Sequence, residues 1–255
     1  MLSLRNVCAG YNGQRVLHDI SFDFQSGQNY SILGPNGCGK TTLIRTISAL
    51  IDFSGDVTIE GRSIRCMKRH EIASQMAVMS QVTSVYFPYT VYETVMLGRY
   101  QHMRGGLFAR PSRKDREYVE DCLASVHLED LRDRKIDELS GGQRQRVFLA
   151  QTLAQNPRII LLDEPTNHLD IRHQTELIDH LRRWSSDGNH MVIGVFHDIS
   201  LALRLTENTL FMKDGRIVGS GAFENIANAA FLRDVYETDI ADYMRSSLAR
   251  WRNII

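Results

Sequence analysis

The chain opens on alternating apolar and polar positions. In "LSLRNVCAGY" the period of two predicts a strand, and Asn12–Gly13 after it is a strong two-residue hairpin signal. "ISFDF" then sets Ile20, Phe22 and Phe24 on one face of the returning strand, and Ser26–Gly27 marks another turn. "YSIL" reads as a buried strand that runs into a glycine-rich loop, and "KTTLIRTISAL" after the loop has helical spacing. "GDVTIEG" predicts a strand with a turn, and "MAVMS" a short buried strand.

From about Val82 to Gln155 the period shifts to that of a helix. "VYETVMLGRYQH", "DREYVEDCLASV" and "RQRVFLAQTLAQ" each predict an amphipathic helix, with "RGGLFARPS" as a loop between the first two. Strand texture resumes at "IILLDEP". "DIRHQTELIDHLRRW" follows as a helix, "HMVIGVFH" as a buried strand and "NTLFMKDGRIVGSG" as a hairpin turning at Asp214–Gly215. The tail from about Ala222 reads as short helices. Strands alternating with helices predict an α/β fold with a mostly parallel sheet. An antiparallel β layer stands at the front, and an all-helical piece is inserted. The expected organisation is one domain, 1–255. Residues 1–81 and 156–221 form the α/β core with its β layer, 82–155 the helical subdomain, and 222–255 a helical tail. There are no internal repeats.

Composition narrows the function classes. The 255 residues are 43% hydrophobic and 24% charged, an ordinary globular balance able to bury a core without staples. Lys plus Arg and Asp plus Glu are both 30. That neutrality argues against nucleic acid as a partner, and the cluster "RPSRKDR" reads as a solvated face. Four cysteines, Cys8, Cys38, Cys66 and Cys122, show no CxxC spacing, which points to a reducing cytosol. The start "MLSLRNVCAGY" has no signal-peptide pattern, and apolar runs such as "IILL" are too short to span a bilayer.

The chemistry is concentrated in three stretches. "GPNGCGKT", Gly34–Thr41, matches G-x-x-x-x-G-K-[ST] between a predicted strand and a predicted helix, the P-loop NTPase context. Small residues let backbone N–H groups wrap a polyphosphate, Lys40 brings a charge to its outer phosphates, and the Thr41 hydroxyl suits Mg²⁺. Cys38 inside the loop reads as a small residue that fits rather than a reactive thiol. "RIILLDEP" ends a buried strand on Asp163 and Glu164, at the carboxyl edge where α/β sheets bind ligands. Asp163 suits the metal, and Glu164 is placed to polarise a water. The third stretch, "LSGGQRQR", Leu139–Arg146, reads as a helix start with Ser140 at the N-cap and Gly141 and Gly142 leaving bare N–H groups. Such an end attracts an anion, yet no nucleophile or base stands beside it.

"GPNGCGKTT", "LSGGQRQR" and "ILLDEPTNHLD", in that order and spread over almost the whole chain, resemble the ATP-binding subunits of ABC transporters. The resemblance implies ATP and Mg²⁺ as cofactors and a head-to-tail dimer of two copies. Each ATP then lies between one copy's Gly34, Pro35, Asn36, Gly37, Cys38, Gly39, Lys40, Thr41 and Thr42 and the other copy's Ser140, Gly141, Gly142 and Gln143. It implies Tyr11 as the aromatic stacked on adenine, against the alternative of a core tyrosine in the β layer. Gln81 corresponds to the glutamine that touches the metal and the attacking water, and His197 to the switch histidine at the γ-phosphate. Glu164, His197, Gln81 and Lys40 are thus the implied catalytic set, and Thr41, Gln81 and Asp163 the metal set. Asp170 matches the loop aspartate that communicates across the dimer, although Asn167 and His168 stand where the family more often has small residues. A metal site on His168, Asp170 and His173 is the lesser reading, since a helix start calls for an acid there in any case.

One nucleotide motif set without a membrane span resembles an importer's free-standing ATPase. "QVTSVYFPYTVYETVMLGRY" and "DIRHQTELIDHL" are similar to those of importers of ferric siderophores, haem and cobalamin. Implied partners are an integral-membrane permease and, indirectly, an extracytoplasmic substrate-binding protein, with the chain peripheral on the cytoplasmic side of the membrane. Tyr86, Phe87 and Tyr89 are then a sticky surface for a permease helix rather than ordinary core aromatics. Two alternatives stay open at this point: a soluble ABC ATPase of iron–sulfur cluster assembly, and an ABC-type translation factor. The latter normally carries two motif sets on a longer, basic chain.

Overall fold

In the computed structural model, which describes residues 1–80, 88–103, 110–166 and 169–251, Asn12 and Gly13 both take positive φ, 51° and 81°. That is the turn a two-residue hairpin needs. It joins β1 (Leu2–Tyr11) to β2 (Gln14–Phe24), with Tyr11 opposite Gln14. The alternation expected of β1 is interrupted by a register shift between Leu4 and Val7. There Asn6 (φ 50°) donates from its side chain to Asp19 Oδ1 at 2.7 Å, and Asp19 is also left-handed (φ 57°). Asn and Asp tolerate this conformation better than other residues, so the bulge falls where the sequence allows it. β4 (Phe53–Ile59) pairs with the other edge of β1, and β5 (Arg62–Ser63) completes an antiparallel sheet of order β2-β1-β4-β5.

The second sheet has the order β10-β9-β3-β8-β7-β6. Its members are β3 (Tyr30–Leu33), β6 (Met76–Ser80), β7 (Ile159–Asp163), β8 (Met191–Val195), β9 (Asn208–Lys213) and β10 (Arg216–Ala222). β6, β7, β8, β3 and β9 run parallel, and β10 returns antiparallel through Asp214 and Gly215. Both faces of the sheet are covered, so its strands are near-continuous apolar runs; Ile159–Leu162 are all buried. Successive side chains still serve opposite layers. Ile159, Leu161, Ile193 and Leu210 join the core shared with the antiparallel sheet and α1 (Lys40–Ile47). Ile160, Leu162, Val192 and Phe211 join the core under α6 (Ile171–Trp184), α7 (Ile199–Leu205) and the helical segment.

That segment contains α3 (Val91–Leu97), α4 (Arg113–Ser125) and α5 (Gly141–Ala154), preceded in the chain by the short α2 (Arg69–Gln75). α3, α4 and α5 begin with the same device. Thr90, Ser112 and Ser140 accept from the N–H three residues on, and Glu93, Asp115 and Gln143 reach back to the cap. Val91, Val95, Val119, Leu123, Val147 and Leu153 pack between them. The single helix expected over "VYETVMLGRYQH" stops at Leu97, and one 3₁₀ turn follows at Tyr100–His102. Gly98 itself keeps helical backbone, φ −60° and ψ −26°, and packs against α5, where a Cβ would lie 2.3 Å from the Gln151 carbonyl oxygen. The tail forms α8 (Phe223–Ile226), α9 (Ala229–Tyr236) and α10 (Ile240–Trp251). Among the described residues no helix is long and apolar enough to cross a membrane.

Candidate active site

β3 delivers the chain into the loop Gly34–Gly39 at the carboxyl edge of the parallel strands. Gly34 has φ 150°, and a Cβ there would lie 2.2 Å from the Met212 carbonyl oxygen, so only glycine lets the loop turn against β9. Gly39 is left-handed (φ 104°) and caps α1, packed so closely on Leu17 that a Cβ would sit 2.9 Å from Leu17 Cδ2. Lys40 is buried, and its Nζ donates to the carbonyl oxygens of Gly34 and Pro35, each at 2.8 Å. The ammonium thus spans the loop from inside. Cys38 is also buried, and burial pushes its thiol up, so it stays protonated as a small packing residue. Its carbonyl accepts from Gly215 N–H at 3.0 Å, which braces the loop against the β9–β10 turn.

Opposite the loop stands the end of β7. The Thr41 hydroxyl donates to Asp163 Oδ1 at 2.8 Å. Burial, aided by the adjacent Glu164 charge, pushes the Asp163 carboxyl above its ordinary range, while the Thr41 hydroxyl and the cations Arg45 and Lys40 oppose the rise. A half-buried carboxylate beside a second carboxylate, with a hydroxyl aimed at it, is a hard oxygen set short of positive charge. These residues fit a Mg²⁺ ion bound with phosphate oxygens. Glu164 leaves the strand in the left-handed conformation, φ 53°, and its Oε1 lies 2.7 Å from His197 Nε2. His197 stands two residues beyond the end of β8, so two neighbouring parallel strands place this pair.

Val16, Asn36, Gly37, Gly39, Lys40, Thr41, Thr42, Glu164 and His197 line one groove of about 310 Å³. It therefore gathers the phosphate loop, the acid–histidine pair and, through Thr41, Asp163. Tyr11 is not in the β-layer core. It is 37% exposed at the end of β1, and Arg45 Nη1 on α1 donates to its hydroxyl at 3.3 Å. An exposed ring beside the phosphate-loop helix is a platform on which a planar group can stack.

The signature residues are elsewhere. Ser140 accepts from Gln143 N–H at 3.3 Å, and Gln143 Oε1 accepts from Ser140 N–H at 2.9 Å, so the N-cap expected at Ser140 is formed. Ser140, Gly141, Gly142 and Gln143 are not among the residues lining the groove. Asp170 caps α6 by accepting from His173 N–H at 2.9 Å, and it too lies outside the lining. Gln81, Tyr86, Phe87, Asn167 and His168 fall outside the described residues; Tyr89 is described and 41% exposed.

Three contributors carried no sequence signal that tied them to the site. Val16 is an ordinary strand position, Arg45 an ordinary helix position, and Gly215 a hairpin turn whose bond to Cys38 joins residues far apart in the chain.

Known proteins similar to this chain share one family. A family model described as ABC transporter matches residues 17–167. The chain is 36% identical over 228 residues to the ferric enterobactin transport ATP-binding protein of Escherichia coli, covering 89% of this chain and 83% of that one. It is 36% identical over 247 residues to the hemin import ATP-binding protein of a Chelativorans species, covering 94% of this chain and 92% of that one. Against an uncharacterized ABC transporter ATP-binding protein of Bacillus subtilis it is 35% identical over 247 residues, which is 96% of this chain and 56% of that one. Among solved structures, a dimeric ATP-binding cassette bound to ADP and Pi superposes with a TM-score of 0.76 at 29% identity, over 87% of this chain and 98% of that one.

Proposed function

This chain belongs to the ABC transporter family of ATPases, and on that premise we propose that it energises import of a metal chelate through a separate membrane permease. The cargo class is a ferric siderophore, haem or a corrinoid. The support is the likeness to import ATP-binding proteins for ferric enterobactin and hemin over nearly the whole chain. The chain would act at the cytoplasmic face of the membrane, held there by the permease, with an extracytoplasmic binding protein choosing the cargo.

One observation carries the chemical part of the reading. Lys40, Thr41 and the Glu164–His197 pair line one groove, and the signature residues Ser140–Gln143 are not among its lining. A complete site then needs a second copy, packed head to tail. Ser140, Gly141, Gly142 and Gln143 of one copy meet the γ-phosphate held by the other copy's loop, with Asp170 at the seam. A dimeric neighbour with ADP and Pi supports this arrangement.

Within a site, the backbone N–H groups of Gly34–Thr42 cradle the phosphates and Lys40 neutralises the transferred group. A magnesium ion held by Thr41, Asp163 and Gln81 would supply further charge neutralisation on the β- and γ-phosphate oxygens. Glu164 orients and polarises the attacking water, and His197 holds the Glu164 carboxylate and reaches the γ-phosphate. Tyr11 stacks on the adenine.

Deletion of the gene tests the cargo. Growth on a scarce ferric siderophore, haem or corrinoid source should fail for one of these while other nutrients are taken up normally. Normal uptake of all three, with a defect in iron–sulfur enzymes instead, would overturn the import reading.

A further inference from the structure

Gly142, the second glycine of the signature, touches a residue that has no part in the groove, His173 on α6. A Cβ at position 142 would lie 2.8 to 2.9 Å from Cδ2, Cε1 and Cγ of His173. Three ring atoms at nearly equal distance mean that the imidazole lies flat on the Gly142 backbone. The ring is anchored at its edge. Nδ1 stands 2.8 Å from Asp170 Oδ1, the oxygen that also accepts from His173 N–H at 2.9 Å. Two more bonds join the same elements. Gln145 Nε2 on α5 donates to the Pro165 carbonyl at 2.8 Å, and Gln174 Nε2 on α6 donates to the Thr166 carbonyl at 3.1 Å. The signature end of α5, the loop after Glu164 and the start of α6 are thus fastened together within one copy.

We propose that His173 is a positioning residue that locks the Asp170 loop to the signature end of α5 in the same subunit, so that the two move as one element. The inference rests on the dimer reading above, in which the signature meets the neighbour's ATP and Asp170 stands at the seam. His173 is a wedge with a polar edge on Asp170 and a flat face on the signature backbone. A shift of the signature as it closes on nucleotide therefore displaces the Asp170 loop, and a shift of that loop displaces the signature. The wedge also gives Gly142 a reason within its own subunit to lack a side chain: any Cβ there pushes the ring off Asp170.

The test uses the full chain. His173→Ala should bind a fluorescent ATP analogue as a monomer with unchanged affinity, because His173 is outside the groove. In a Glu164→Gln background, the ATP concentration for half-maximal dimer should rise by about two- to thirty-fold. His173→Phe keeps a flat face without the anchor, and His173→Asn keeps a donor without the face; each should recover only part of the loss. Melting of the nucleotide-free chain tests the contact itself. Gly142→Ala should be better tolerated in the His173→Ala background than in the wild type, by roughly a few degrees. Wild-type dimerisation by His173→Ala, or the same effect of Gly142→Ala in both backgrounds, would overturn the proposal while leaving the dimer reading intact. A wild-type chain that forms no dimer with ATP would overturn the dimer reading and the coupling with it. Should His173→Ala fail to fold, the Phe and Asn variants carry the same comparison.

Discussion

Arg99 is a nearly buried cation of the helical segment, and its removal has a calculable consequence. The side chain follows α3 and is only 12% exposed, against 7% for its partner Asp115 on α4. Its Nε donates to Asp115 Oδ1 at 3.0 Å and its Nη1 to the Ala154 carbonyl at the end of α5 at 2.9 Å. The guanidinium also lies over the Tyr118 ring, 4.6 Å from its centroid. Arg99 therefore ties α3 and α4 to the carboxyl end of the helix whose other end is the signature. Arg99→Ala strands Asp115 in a buried place, a loss that typically costs about 3–5 kcal/mol. Asp115 keeps its bonds from Ser112 N–H (3.0 Å) and the Ser112 hydroxyl (2.6 Å), which places the cost at the lower end, about 3 kcal/mol. At this chain length that lowers Tm by roughly 6–12 °C, measured by calorimetry at neutral pH. Arg99→Ala with Asp115→Asn should recover part of the loss, since no stranded charge remains. The pH dependence follows from the same contacts. Burial pushes the Asp115 carboxyl up, but the Ser112 hydroxyl and N–H and the Arg99 guanidinium outweigh it and hold the group below its usual range. A depressed carboxyl contributes stability above its unfolded value and loses it as pH falls through the folded one. The gap between wild type and Arg99→Ala should thus be full at neutral pH and narrow below about pH 4. A loss under about 1 kcal/mol at pH 7 would refute the claim that a buried charge has been stranded.

Further outcomes follow from the groove. Glu164→Gln should bind ATP nearly normally, hydrolyse it roughly 10²–10⁴-fold slower and accumulate as an ATP-bound dimer; wild-type turnover would remove Glu164 from its role. Lys40→Ala should lose binding as well as chemistry in a titration, because Lys40 also holds the Gly34 and Pro35 carbonyls. Tyr11→Ala should weaken ATP and GTP alike, by on the order of 1 kcal/mol in calorimetric titration; unchanged affinity for both would end the stacking assignment. A mixed dimer of Lys40→Ala and Ser140→Arg subunits should recover single-turnover hydrolysis at one intact site, although each homodimer is dead. A mixed dimer that forms but occludes no ATP would count against a signature acting in trans.

Legibility followed the range of the interactions involved. The P-loop could be read because its requirements are local: glycines for the turn, a lysine, a threonine and a helix start. The hairpins at Asn12–Gly13 and Asp214–Gly215 could be read for the same reason, since each turn dictates its own residues. The burial of β7 followed from an apolar run with no polar side to present. The groove itself could not be read. Glu164 and His197 meet because β7 and β8 pair in parallel, Asp163 opposite Val195, so that both chains leave the sheet at the same edge. The resemblance put His197 in the catalytic set with Glu164, but not their contact. Gly98 gave no sign of its packing, because its reason for being glycine is the Gln151 carbonyl on a helix about fifty residues away. His173 entered only through the lesser reading of a metal site, and its ring on Gly142 depends on how α6 is docked against α5.

Glu164 gives a last test of how the fold aims its chemistry. β7 ends at Asp163, and continuing the strand would carry the next side chain along the sheet rather than across the groove. The left-handed turn at Glu164, φ 53°, redirects the chain and brings the carboxylate to His197. For a residue with a Cβ that conformation costs roughly 1–2 kcal/mol, and for glycine almost nothing. Glu164→Ala and Glu164→Gly both lose the carboxylate and the contact with His197, so their difference isolates the backbone. At an ordinary strand or helix position the alanine variant would be the more stable by about 0.5–1 kcal/mol. Here the sign should invert, with glycine ahead by about 1 kcal/mol, or roughly 2–4 °C in Tm. An alanine variant that melts at or above the glycine variant would show that position 164 carries no such strain. Inversion would mean that the wild-type chain holds a destabilising backbone conformation at the residue that needs to point at the phosphate. A variant at this position can then gain stability only by giving up activity.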